Sequence, residues 1–109
     1  MHIHRAASGL VGWSRYNRRN RYGEPVNSVL RVMVSARRWE DFRAALPFIE
    51  KWGFADHDTT VIVKSRGRHG PSLIQRFSLK TGKLVDSTNG SARYSETPEW
   101  ARPVADDRP

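Results

Sequence analysis

Ser28-Val29-Leu30-Arg31-Val32-Met33-Val34-Ser35, running without a break into residues 36–54, is the stretch whose reading decides the fold. Leu30, Val32 and Val34 share one face of an extended chain, and Val29, Arg31 and Met33 share the other. Period two with β-branched side chains specifies a strand. Both faces are largely apolar, which places it centrally in a sheet with cover on each side, and the lone Arg31 marks the second face as incompletely covered.

The residues that follow read differently. Trp39, Phe42, Leu46 and Ile49 fall in one narrow stripe when the chain turns by about 100° per residue, which predicts an amphipathic helix. Ser35 is placed to cap its start and Gly53 to end it. Pro47 lies inside that span and costs a helix roughly 3 kcal/mol, so a kink or two short helices are expected there.

Working outward, a short strand is expected over Gly9–Tyr16, and further strands over Thr59–Lys64, Ser72–Leu79 and Leu84–Ser87. Lys80-Thr81-Gly82-Lys83 predicts a hairpin joining the last two, with Gly82 at positive φ. The expected fold class is α+β: a small antiparallel or mixed sheet of four to five strands with one helix on one face, in the order (β)-β-α-β-β-β. Residues 1–27 form a basic N-terminal arm, 28–88 the core and 89–109 a polar tail in which Trp100 is the candidate anchor.

The charge is segregated. Of the net +8, residues 1–26 carry +4, residues 27–58 carry none, residues 59–88 carry +5 and residues 89–109 carry −1. Positive charge concentrated in two segments is the electrostatic footprint of a protein that binds nucleic acid or another polyanion. There is no cysteine, which excludes disulfides and thiolate metal sites and fits a reducing, cytoplasmic setting. No apolar run approaches the about 20 residues a membrane span needs, and no signal-peptide core is expected at the N-terminus.

Two segments carry the candidate nucleic-acid contacts. In the arm these are Arg15, Tyr16, Arg18, Arg19, Arg21 and Tyr22, where guanidinium groups pair with phosphates and tyrosine rings offer stacking faces. In the glycine-punctuated loop 65–71 and its flanks they are Lys64, Arg66, Arg68 and His69, joined by Arg76 on the next strand. Neither segment has Walker spacing, so this is not a nucleotide-binding P-loop. Arg76 and Arg31 are expected to share the sheet face away from the helix. His2 with His4 makes a weak chelating pair, and no metal or cofactor is expected. Asp56-His57-Asp58 resembles an acid-base cluster but reads as a surface turn leading into a strand.

Three functions follow. The first is a nucleic-acid-binding accessory protein, with RNA or single-stranded DNA favoured over duplex DNA because aromatic residues lie among the arginines. The second is a phage- or plasmid-type inhibitor whose basic arm, with Trp13 and Phe48, enters an acidic groove of a nucleic-acid-processing or defence complex. The third is a metal-independent ribonuclease. The expected element order resembles that of small bacterial toxin ribonucleases, which would make His69 a general acid or base and Arg66, Arg68 or Arg76 stabilisers of the transition state. No catalytic constellation is evident in the sequence, which favours a binder over an enzyme. An open sheet face also leaves room for a homodimer.

Overall fold

The computed structural model describes residues 2–6, 8–15, 18–19, 21, 25–68 and 70–105, with only the backbone described at 2, 15, 18, 19 and 25. The described residues form ten strands: β1 (His2–Arg5), β2 (Val11–Arg15), β3 (Arg18–Arg19), β4 (Pro25–Val26), β5 (Val29–Ser35), β6 (Arg38–Arg43), β7 (Phe48–Ala55), β8 (Thr60–Arg66), β9 (Ser72–Ser78) and β10 (Leu84–Asn89). They build two four-stranded antiparallel sheets, ordered β1-β2-β5-β6 and β10-β9-β8-β7, while β3 and β4 form a two-stranded ladder. The second sheet is made by neighbouring strands in chain order and the first likewise except that β3 and β4 intervene between β2 and β5, and the chain crosses between the sheets through residues 44–47, which include Pro47.

This is a β-sandwich, and the expected α+β fold is overturned: the only helical turns among the described residues are two 3-10 segments, Tyr94–Glu96 and Glu99–Val104. The expected helix is β6 and β7. Its supposed stripe is split between faces, for Trp39 is 53% exposed whereas Phe42 is 2% exposed in the core. Period two explains the segment better, because Phe42 and Ala44 point inward while Trp39, Asp41 and Arg43 remain accessible. Pro47, which a helix interior does not tolerate, sits in the crossover where its missing N–H costs no ladder bond. Ser35 does cap something: its hydroxyl accepts from the Arg37 amide at 3.4 Å in the β5–β6 turn. The element order behind the likeness to toxin ribonucleases is therefore absent.

The core lies between the sheets. Leu30, Val32, Phe42 and Ala44 of the first meet Ile49, Trp52, Val61, Val63, Phe77 and Leu79 of the second. β8 is buried at every position from Val61 to Ser65, the mark of a strand covered on both faces. Its outward Ile62 joins Ile74, Ala101 and Val104 in a second cluster, so the segment after Thr88, expected as a tail, covers the outer face of the second sheet. The expected pairing of Ser72–Leu79 with Leu84–Ser87 is present as β9–β10, with a bulge between Leu84 and Asp86, and Gly82 takes φ +73° in its turn.

β1 and β2, from the segment expected as an arm, supply two of the four strands of the first sheet. β3–β4 prolongs the β2–β5 hairpin without a change of register: Arg15 pairs with Val29, Arg18 with Val26 and Arg19 with Pro25. Arg18 and Arg19 therefore lie at the far end of one long hairpin, anchored by Val26, which is completely buried.

Candidate nucleic-acid interface

Backbone pairing brings the two basic segments to one end of the sandwich. Arg18 pairs with Val26, the next residue Asn27 bridges Phe48, and Phe48 pairs with Arg66 at the edge of the glycine-rich loop. Those ladder steps put the backbones of Arg18 and Arg66 within about 20 Å of each other. Asn27 secures the junction: its side chain donates to the Ile49 carbonyl and accepts from the Ile49 amide, each at 3.2 Å. The Arg66 guanidinium lies 5.5 Å over the Phe48 ring, which holds the charge at the surface. Arg68, Arg21 and Arg43 are exposed, and Arg43 pairs with Val29 beside Arg15.

The remaining predicted contacts lie elsewhere. Lys64 is completely buried in β8, out of a ligand's reach. Arg76 sits on the outer face of the second sheet, clamped by Asp56 at 3.2 Å and by Asp86, with its guanidinium 5.0 Å over the Trp100 ring. The hydrogen bond to Asp86 chiefly raises its pKa above the ordinary arginine value, against a smaller lowering by burial. A raised pKa means that this contribution to stability is present at lower pH while its carboxylate partners are ionised, and fades as pH climbs beyond the arginine range. Arg31, expected beside Arg76, belongs to the other sheet and pairs with Asp41 at 2.7 Å, which likewise raises its pKa. Tyr16, Tyr22 and His69 lie outside the described residues, as do the side chains of Arg15, Arg18 and Arg19. Of the residues cast for a ribonuclease, Arg66 pairs with Ser72, and Arg76 stands four residues further along β9, roughly 13 Å away.

One surface was not legible as a site in the sequence. On the outer face of the first sheet, Ile3, Trp13, Arg31 and Asp41 align across β1, β2, β5 and β6, and Arg5, Val11, Met33 and Trp39 form the next row. The Arg31 guanidinium lies 4.7 Å over the Trp39 ring. None of these residues is fully buried, and Ile3 and Trp39 are more than half exposed. The missing signal was the period-two pattern of residues 38–43, hidden by the helical spacing of Trp39 and Phe42.

Asp56, His57 and Asp58 form the β7–β8 turn, with φ of 52°, 55° and 65°. Their carboxylates do structural work: Asp56 accepts from the Thr60 hydroxyl at 2.7 Å, and Asp58 accepts from the Ser8 amide at 3.0 Å. A left-handed conformation costs an L-residue roughly 1–2 kcal/mol. His57→Gly is therefore expected to stabilise the protein by about 0.5 kcal/mol, after the extra entropy of the unfolded glycine is charged, and His57→Val to destabilise it by about 1 kcal/mol or more. Urea unfolding of the two variants checks this, and equal losses would show the turn is not held left-handed.

Among the described residues no group of three or more His, Asp or Glu is placed to hold a metal, and no helix is long and apolar enough to cross a membrane. His4 instead packs edge-on against Trp52, with ring centroids 4.7 Å apart. The chain matches no family model, no curated protein and no solved structure.

Proposed function

We propose that this protein is a nucleic-acid-binding accessory protein that grips phosphates with the basic end of the sandwich. The observation that carries the reading is the backbone path from Arg18 through Val26, Asn27 and Phe48 to Arg66, which brings the backbones of two basic segments far apart in sequence to one end of the sandwich. Arginine is suited to the task because its planar fork pairs with phosphate and stays charged at any physiological pH. The absence of cysteine fits a cytoplasmic setting.

Binding of labelled single-stranded RNA, single-stranded DNA and duplex DNA across a salt series tests this. Affinity is expected to fall steeply with salt, with a log-log slope of about −3 to −5 for four to six neutralised phosphates. The RNA is expected to stay intact on a denaturing gel. Salt-independent binding, or none near physiological salt, would refute the proposal and turn attention to an acidic protein partner. Cleaved RNA would promote the ribonuclease reading.

A further inference from the structure

We infer that the outer face of the first sheet is a stacking platform for the bases of a single-stranded nucleic acid, with Trp13 and Trp39 as the two rings and Arg31 between them. This rests on the phosphate-binding reading above and adds the kind of nucleic acid bound.

The second sheet has its outer face covered by Trp100, Ala101 and Val104, whereas on the first Ile3 and Trp39 are more than half exposed and Trp13, Arg31 and Met33 are half-buried. Apolar side chains left in water on a flat sheet mark a binding surface. Trp13, Arg31 and Trp39 lie on the adjacent strands β2, β5 and β6. Two strand spacings across and two residues along separate the tryptophan backbones by roughly 12 Å. Two bases splayed apart on an extended strand can each meet a ring over such a distance, but bases stacked inside a duplex present only their edges.

The local chemistry prepares the rings. Asp41 takes the Nε and Nη2 edge of Arg31 at 2.7 and 2.9 Å, and the centre of the guanidinium lies 4.7 Å over the Trp39 ring. One side of the indole is thus occupied by a cation, and its exposed area is open to a base. Charge favours this occupant over a second copy of the chain. The face carries Arg5, Arg31 and Arg43 against Asp41 alone, and the same hairpin runs on to Arg18, Arg19 and Arg21. A two-fold interface would press these like charges together, while a phosphate backbone neutralises them.

The test uses the whole chain with fluorescently labelled oligo(dT) and oligo(U) of roughly 12 nucleotides and a duplex of equal length, a span that covers one single-strand site. Wild-type protein is expected to bind the single strands more tightly than the duplex. Trp39→Ala should weaken single-strand binding by roughly 5- to 100-fold, leave duplex binding and the salt slope unchanged, and Trp39→Phe should restore most of the loss. Trp39 is more than half exposed, so folding should survive, and circular dichroism confirms it. The inference is overturned if Trp39→Ala leaves single-strand binding unchanged or weakens single strand and duplex alike. It is also overturned if sedimentation shows a dimer that Trp39→Ala converts to a monomer with oligonucleotide binding intact. If neither single strand nor duplex binds, the phosphate-binding reading itself fails.

Discussion

Trp52→Ala is expected to cost about 3–5 kcal/mol, a large part of the roughly 5–15 kcal/mol that holds a domain of this size together. Trp52 is 4% exposed, and its ring meets Phe54 at 5.3 Å and His4 at 4.7 Å between centroids. The contact with His4 ties β7 of the second sheet to β1 of the first. The ring reaches so far across that a Cβ built on Gly12 would stand 2.6 Å from its Cη2 atom, so Gly12 is the notch in β2 that receives it. Gly12→Ala alone should cost about 1–3 kcal/mol through overpacking, because a fused ring cannot bend away and the Val32 side chain and the Arg31 carbonyl crowd the same spot. The double variant should be only slightly less stable than Trp52→Ala, since the indole, the closest of the three contacts, is gone. Urea unfolding of the four proteins measures the coupling, expected to be about 1–3 kcal/mol. Additive losses would mean the ring does not rest over Gly12.

Replacing Arg18, Arg19, Arg66 and Arg68 together by glutamine should weaken nucleic-acid binding by roughly a few hundred-fold near physiological salt and lower the magnitude of the salt slope by about 3. Each pair alone should give about half of that effect in free energy. Arg18 and Arg66 are linked by backbone pairs through Asn27 and Phe48, so one polyanion can reach both segments. Arg66 and Arg68 are exposed, so their replacement should change stability by no more than about 0.5 kcal/mol. Lys80→Gln with Lys83→Gln is the control. Those exposed lysines lie in the β9–β10 turn at the other end of the sandwich, and their loss should change affinity only a few-fold. A large loss from one pair and none from the other would show that the basic end does not act as one surface.

Local sequence carried a good deal of this. Val61 and Val63 on one face of a strand with Ile62 on the other, the hairpin at Gly82, and the strand from Val29 to Ser35 all follow from period-two patterning and turn chemistry. Residues 38–54 misled because four apolar residues at helical spacing also lie, by coincidence, on two strands and a crossover. In that span Pro47 was the discordant signal, and period two around Phe42 and Ala44 was the correct reading.

The sequence by itself determined where positive charge accumulates and that the chain builds a sheet from short alternating strands, because charge and side-chain alternation are properties of neighbours along the chain. Tertiary structure alone decided that segments some 45 residues apart share one end, that Lys64 is buried while Arg66 two residues on is exposed, and that Trp13, Arg31 and Trp39 stand side by side. Each depends on which strand lies beside which. Strand neighbours are chosen by the burial of whole faces, and a one-residue slip would send every side chain to the opposite side.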